Sequence, residues 1–242
     1  MSYITNPPFD MSVYRNKAVT NGVAGIFNPC KTILNEHRPV CTKEYHLTGK
    51  YLDGADNPDV WFPIAAGTGS VVYDSRYLTI TSSTGGVAAN RAVIDQTKFP
   101  ITGNFVEVTC KIGTVVDGTG GVRITDIGFA SAFSAHQSKE RALFTYFDGG
   151  WHLSHYTGAV ALSTLPLGRN LQAGDIITVR LERREGSANI DIVRFYVNGQ
   201  KQYETTDIPT VDCYAGIVVF NDADTTVPIS FSTDYFGVKY VP

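Results

Sequence analysis

Helical periodicity is almost absent from this sequence: no stretch keeps the 3.6-residue repeat of an amphipathic helix for three turns. Long apolar runs are missing too, and none approaches the roughly 20 residues that a membrane-spanning helix needs. Residues 1–8 lack the basic start and the apolar stretch of a secretion signal. We therefore expect a protein that is made in the cytoplasm and has no membrane span.

Excess positive charge is also lacking. The chain has 20 Lys and Arg against 23 Asp and Glu, which gives a net charge of −3 at pH 7, and its basic residues are dispersed. Proteins that bind nucleic acid neutralise phosphates with clustered basic side chains. We therefore expect no nucleic-acid partner.

Cysteine is scarce, and the four cysteines show neither a CxxC pair nor the spacing of a zinc finger. Cys110 is in phase with the apolar residues of a predicted strand, which is typical of a buried free thiol. We expect free thiols throughout the chain. A bridge between Cys30 and Cys41 in an oxidising compartment is the alternative.

The strongest positive signal is a strand repeat between residues 175 and 199. Ile177, Val179 and Leu181 alternate with polar residues, and the same period of two recurs across residues 192–197. Asn198-Gly199 follows, the dipeptide that best supplies two positive-φ residues for a tight hairpin turn. This segment predicts a meander with one apolar face and one polar face.

The same pattern of strand and turn continues over the chain from about residue 51. The 23 glycines, 13 tyrosines and 13 phenylalanines favour strands joined by tight turns, at spacings near ten residues. Such spacings are typical of a sandwich or barrel and unlike those of alternating strands and helices. We predict an all-β fold of two antiparallel sheets, with the sandwich domain spanning residues 46–242.

Residues 1–45 differ from the rest of the chain. Prolines and asparagines interrupt them, yet they hold large apolar side chains such as Phe9, Tyr14 and Phe27 without a sustained period. This composition is too apolar for a free linker. We interpret the segment as an irregular N-terminal arm, which lies either on its own sandwich or on a partner subunit.

Four segments of the chain form a pattern in this order: residues 151–156 (Trp-His-Leu-Ser-His-Tyr), 171–183, 193–200 (Val-Arg-Phe-Tyr-Val-Asn-Gly-Gln) and the C-terminal strand at 231–240. Together they resemble the concanavalin A-like lectin/glucanase superfamily, which includes laminin G-like modules. The resemblance covers about residues 55–242. It implies a jelly-roll sandwich with one concave sheet, and it says little about function.

The resemblance does not extend to catalysis. Glucanases of this superfamily carry Glu-x-Asp-x-x-Glu on one strand, and this sequence has no such run. Asp148 beside His152 or His155 is a weaker acid/base candidate, because Asp-Gly-Gly is first of all a turn. We therefore expect no enzymatic activity.

A ligand site is predicted from the parity of side chains around the Asp148-Gly149-Gly150 turn. Trp151 shares the apolar, core-facing side, and the opposite side is mixed polar and aromatic. If the later meander is a neighbour, both segments contribute to one polar and aromatic platform. A plain solvated face, with Arg180 or Arg194 paired to Glu182, is the alternative. The candidate ligand-binding residues are Arg141, His152, Tyr156, Arg194 and Tyr196.

A structural calcium is the one cofactor that the sequence suggests. Asp222, Asp224 and Asp234 offer the oxygens that calcium requires. The resemblance implies such an ion, because relatives often place an aspartate on the last strand, where Asp234 lies. A solvated turn is the simpler interpretation of Asn-Asp-Ala-Asp.

Two functions are compatible with these features. The first is a non-enzymatic structural or attachment subunit of a phage or virus-like particle, which would be a homo-oligomer, associated with the virion through its arm. The second is a lectin-like module that binds a glycan of a cell surface or polysaccharide. The apolar arm and the absence of paired catalytic carboxylates favour the first.

Overall fold

The computed structural model describes residues 43–53, 69–84, 98–120, 122–132, 140–155, 165–222 and 224–242. It also places the backbone of residues 26–27, 30–31, 40–41, 61–64, 88–94 and 164 in strands. No helix in this part of the chain is long and apolar enough to cross a membrane.

The described residues form twenty strands and one 3₁₀ turn, Gly49–Leu52. The first ten strands are β1 (Ile26–Phe27), β2 (Cys30–Lys31), β3 (Val40–Cys41), β4 (Lys43–Thr48), β5 (Trp61–Ile64), β6 (Ser70–Tyr73), β7 (Leu78–Thr81), β8 (Ala88–Ile94), β9 (Phe105–Lys111) and β10 (Val115–Val116). The other ten are β11 (Arg123–Ala130), β12 (Arg141–Phe147), β13 (Gly150–His155), β14 (Thr164–Pro166), β15 (Ile176–Glu182), β16 (Ile192–Val197), β17 (Gln200–Thr205), β18 (Tyr214–Asn221), β19 (Ser230–Thr233) and β20 (Tyr235–Val241).

Two seven-stranded antiparallel sheets make the sandwich. Sheet I has the order β1-β4-β20-β9-β15-β16-β17, and sheet II has the order β14-β13-β12-β11-β18-β8-β5. A smaller sheet has the order β10-β19-β7-β6, and β2 and β3 form a two-stranded sheet. The prediction of an all-β, two-sheet antiparallel sandwich is confirmed.

The core lies between sheets I and II, because each sheet turns one side of its period-two pattern inward. Phe144 of sheet II meets Phe195 of sheet I edge to face, with ring centroids 5.6 Å apart. Both rings are fully buried, as are Ile127 and Val219. Gly128 fits mid-strand because its φ is +140°, and an added Cβ would lie 2.5 Å from the carbonyl oxygen of Ala142.

The two predicted tight turns have the backbone that their residues favour. Asn198 and Gly199 have φ values of +50° and +76° between β16 and β17. Asp148 and Gly149, at +50° and +75°, do the same between β12 and β13. Two consecutive positive φ angles give the twist that suits a two-residue hairpin, so Asp148 occupies a turn position as expected.

The N-terminal arm is described only in part. β1 pairs with β4 at the edge of sheet I, and β4 pairs with β20. β4 begins at Lys43, so the predicted domain boundary at residue 45 falls inside a sheet strand, and Tyr45 is buried. Residues 1–25 lie outside the described residues, and the role of the arm stays a prediction.

The cysteines are divided between the core and the arm. Cys110 and Cys213 are free and buried, as predicted for Cys110. Burial raises the pKa of both thiols to about 12. Cys30 and Cys41 are register partners of β2 and β3, and their oxidation state stays untested.

Candidate functional site

The hairpin of β12 and β13 has the two faces that its sequence predicts. Trp151 pairs across the strands with Tyr146, and Leu153 pairs with Phe144, so these four residues share the side that packs on sheet I. Trp151 is only 3% exposed. The other side faces away from sheet I, and we call it the outer face. Its members used below are Asp126, Arg141, Thr145, Phe147, His152 and Ser154.

A polar row crosses the outer face over three neighbouring strands. Asp126 of β11 is the register partner of Thr145 of β12, which in turn pairs with His152 of β13. The Thr145 hydroxyl donates a hydrogen bond of 2.6 Å to Asp126 Oδ1. Both side chains are buried, which strengthens the interaction, because no water competes for the carboxylate.

Arg141 adds a buried cation to the same face. Its side chain is 5% exposed. Burial lowers the pKa of its guanidinium, and the charge of the Asp126 carboxylate partly opposes that effect. The Asp126 carboxylate therefore favours the charged form of the Arg141 guanidinium on the outer face.

The outer face becomes more open towards β13. Phe147 and His152 are half-buried, and their ring centroids lie 6.3 Å apart. Ser154 Oγ and His152 Nδ1 are buried, and neither atom has a hydrogen-bond partner among the described residues. A fully buried hydroxyl without a partner costs about 1–3 kcal/mol, so Ser154 is a group that a ligand or a water molecule would satisfy.

The single platform that the sequence suggested does not form. Arg141 and His152 lie on sheet II, whereas Arg194 and Tyr196 lie on β16 of sheet I, which faces the other way. The condition that the two hairpins are neighbours is therefore not met. Tyr156 lies outside the described residues, and a ligand-binding role for any of these residues stays a prediction.

Arg194 instead belongs to a ladder of ion pairs on the solvent side of sheet I. It pairs with Glu182, and its Nε donates to Glu204 at 2.7 Å. Arg180 pairs with Glu107 of the neighbouring strand and also lies 3.8 Å from Glu182. This arrangement matches the alternative of a solvated face with charges paired across strands.

The three aspartates proposed as calcium ligands do not come together. Asp222 and Asp224 precede β19, whereas Asp234 follows it. Asp222 Oδ1 accepts from the Asp224 backbone N–H at 3.1 Å, and Asp234 Oδ2 lies 2.7 Å from Lys111 Nζ. Within the described residues, no group of three His, Cys, Asp or Glu side chains is placed to hold a metal ion.

Sequence reasoning missed Asp126, Thr145 and Ser154. Asp126 interrupts an apolar strand, and a carboxylate in such a run is a signal of a buried, partnered charge. Thr145 and Ser154 are fully buried, and their residue types give no sign of that burial. Asp126 is also the only carboxylate on β11, β12, β13 and β18.

The two large sheets, the small third sheet and their antiparallel order define a concanavalin A-like β-sandwich, as the sequence resemblance implied.

The chain is similar to a protein of unknown function from Shewanella oneidensis MR-1, SO2946. The two are 17% identical over 98% of this chain and 97% of that chain, with a TM-score of 0.58. A sialidase matches at 10% identity over 82% of this chain and 21% of that chain, with a TM-score of 0.50.

A weaker likeness is to the carbohydrate recognition domain of Emp47p, with 12% identity over 75% of this chain and 88% of that chain and a TM-score of 0.47. No protein-family model and no curated protein sequence matches the chain. At such low identities, similarity shows the fold alone, so function has to be argued from the residues of the site.

Proposed function

We propose that this protein is a non-enzymatic carbohydrate-binding module that holds its glycan on the outer face of sheet II. The observation that carries the proposal is the half-buried ring pair of Phe147 and His152 beside the hydrogen-bonded row of Thr145 and Asp126. Sugars are bound by ring faces that cover their C–H groups and by a few fixed polar groups that orient their hydroxyls.

The polar groups of this face are held in place before a ligand arrives. Thr145 and Asp126 lie on two paired strands in the middle of sheet II, and neither strand is at a sheet edge. Groups on such strands lose little freedom when a ligand binds, which favours affinity. The partnerless Oγ of Ser154 and Nδ1 of His152 supply a donor or an acceptor for sugar hydroxyls.

A binding role suits the face better than hydrolysis does. Both retaining and inverting glycosidases normally use two carboxylates across the scissile bond. The four described strands β11, β12, β13 and β18 carry one carboxylate between them, Asp126, and it is engaged by Thr145. We therefore propose binding without turnover. Release of reducing ends from a β-glucan panel, abolished by a single Asp or Glu substitution, would contradict this.

The test is a glycan array with the full chain, followed by calorimetry on the best ligand. We expect His152→Ala and Phe147→Leu to weaken binding at least tenfold, because each removes a ring that covers the sugar. The matched controls are Arg194→Ala and Tyr196→Ala on the opposite side of the sandwich, and we expect them to leave affinity within twofold. Absence of any glycan ligand, or loss of binding in the controls alone, would refute the proposal.

Assembly into a larger particle is a second candidate function. It rests on the large apolar side chains of residues 1–45 and on β1, which adds a short strand of that segment beside β4. The two functions are compatible, since β1 lies at the edge of sheet I, whereas the proposed glycan site lies on sheet II. A phage or virus-like particle stays the expected setting of such an assembly.

A further inference from the structure

A cavity of about 320 Å³ lies apart from the outer face, at the end of the sandwich. Three segments line it: the residues just after β9, the turn between β12 and β13, and the loop before β15. Tyr146 and Trp151 form its aromatic wall, with ring centroids 5.5 Å apart and planes at 67°. The cavity therefore opens where sheets I and II separate, on the core-facing side of the hairpin.

The loop that forms one wall is held by hydrogen bonds to Asp175. The Asp175 carboxylate accepts hydrogen bonds from the Gln172 backbone N–H at 2.8 Å and from Asn198 Nδ2 at 2.7 Å. The Gly174 N–H also donates to the carbonyl of Ile112 at 2.7 Å. These bonds join the loop to both strands of sheet I that flank it, so the cavity exists before a ligand binds.

The opposite wall is fixed in the same way. The Thr114 N–H donates to Ser232 Oγ at 2.7 Å, and the Leu167 N–H donates to the carbonyl of Trp151 at 2.9 Å. Tyr146 is hydrogen-bonded through its hydroxyl to Asp117, which lies outside the lining. The phenol is thus held in one orientation beside the cavity.

The chemistry of the lining selects the ligand. None of the described residues that line the cavity carries a charge, so a charged ligand would lose hydration there without gaining an ion pair. The exposed side chains of Asn170, Gln172 and Thr114 offer amide and hydroxyl donors and acceptors around the mouth. The aromatic wall and Leu171 supply apolar surface behind them.

We propose that this cavity binds one neutral sugar ring. A monosaccharide unit combines hydroxyls around its edge with apolar C–H faces, which matches a mouth of amides and a wall of aromatic rings. The volume lies at the small end of the range found for ligand pockets, which suits a single ring. The cavity shares no residue with the outer face of sheet II. Binding in the cavity can therefore be tested independently of the proposed function.

The experiment uses saturation-transfer NMR and calorimetry on the full chain with free monosaccharides. The neutral probes are glucose, galactose, mannose and N-acetylglucosamine, and the charged counterparts are glucuronic acid and glucosamine. We expect at least one neutral probe to bind, and its charged counterparts to bind at least tenfold more weakly. Equal binding of neutral and charged probes, or no binding of any neutral probe at 20 mM, would overturn the proposal.

Variants then locate the bound sugar. We expect Asn170→Ala and Gln172→Ala each to weaken binding about fivefold, as one lost hydrogen bond of about 1 kcal/mol implies. The matched control is Asn189→Ala, an exposed amide in another loop, which should leave binding unchanged. His152→Ala should also leave it unchanged, which separates this cavity from the outer face. Binding that survives in the Asn170→Ala, Gln172→Ala double variant would refute the assignment.

Discussion

The hydroxyl of Thr145 donates to the carboxylate of Asp126 across the β11 and β12 pair at 2.6 Å, and both side chains are buried. Asp126 is therefore a buried carboxyl group in the middle of a sheet, in an environment where a lost hydrogen bond is costly. The pair of Thr145 and Asp126 belongs to the outer face on which the proposed function rests.

The first prediction concerns a substitution at Thr145 that removes the hydroxyl group and keeps the shape of the side chain. Thr145→Val leaves Asp126 without that donor, so we expect the free energy of unfolding to fall by about 1–3 kcal/mol. Urea denaturation measures the change. Thr109→Val is the control, and we expect it to lower stability less than Thr145→Val does. The hydrogen bond of the Thr109 hydroxyl is 3.2 Å long, joins Thr178 and lies on a half-buried face. Equal stabilities of the Thr145→Val and wild-type chains would show that the bond contributes nothing.

The second prediction tests the face assignment of the hairpin. Trp151 is 3% exposed and packs on Tyr146, so Trp151→Ala should lower stability by roughly 3–5 kcal/mol through the cavity it creates. Arg194→Ala, on a solvent-facing ion-pair ladder, should change stability by less than about 1 kcal/mol. A Trp151→Ala chain that unfolds at the wild-type denaturant midpoint would contradict the core position of Trp151.

The third prediction concerns the stability of the protein at low pH. Burial alone would raise the pKa of Asp175, but hydrogen bonds from Gln172, Asn198 and Arg169 outweigh it and hold that pKa below its usual value. The stability that ionised Asp175 contributes is thus present above the unfolded pKa near 3.8 and is lost as the pH falls through the lower, folded value.

Asp175→Asn should therefore destabilise the chain at pH 7 and progressively less between pH 4 and pH 2. Urea denaturation of both chains at pH 7, 5, 4, 3 and 2 gives the difference directly. Glu185→Gln, at an exposed position in the loop between β15 and β16, serves as the control for a change of net charge. A difference between wild type and Asp175→Asn that stays constant down to pH 2 would exclude the ionised carboxylate as its source.

The fourth prediction concerns thiol reactivity. With pKa values of about 12, Cys110 and Cys213 are thiolates to roughly one part in ten thousand at pH 8. In a chain carrying Cys30→Ser and Cys41→Ser, we expect a disulfide reagent such as DTNB to react with no thiol until urea unfolds the protein. In the unfolded chain the reagent should react with two thiols, those of Cys110 and Cys213. Prompt labelling of the folded chain would show that one of the two thiols is accessible.

The fifth prediction concerns the arm. Deletion of residues 1–42 leaves β4 intact on the edge of β20, so we expect a folded sandwich that has lost self-association or attachment to a particle. Deletion of residues 1–45 also removes the buried Tyr45 and should be less stable. Light scattering gives the oligomeric state, and thermal unfolding gives the stability. A truncated chain that assembles as before would show that the arm is incidental.

Local patterns allowed much of the fold to be predicted from the sequence. The alternation around Val179 and Phe195 predicted β15 and β16, and both side chains are buried as their parity requires. Asn198-Gly199 predicted its own turn, because few other dipeptides adopt two positive φ angles without strain. Such signals depend on neighbours within a few residues, so they can be interpreted without knowing the pairing of distant strands.

The candidate site was only partly predictable. Parity placed Arg141 and His152 on one side of sheet II, which the register confirms. The proposed neighbours Arg194 and Tyr196 lie on sheet I instead, because sheet membership depends on which strands pair over long sequence separations. Period two specifies the two sides of a strand and leaves open which sheet the strand joins.

The all-β fold class, the tight turns and the core position of Trp151 follow from the sequence alone, since each depends on period, residue type and φ preference. The hydrogen bond between Thr145 and Asp126, the pairing of Arg194 with Glu182 and the cavity beside Trp151 depend on the folded structure. The first two need the register of neighbouring strands, and the cavity needs loops from distant parts of the chain to meet. The period of two in a strand specifies neither the register nor the approach of distant loops.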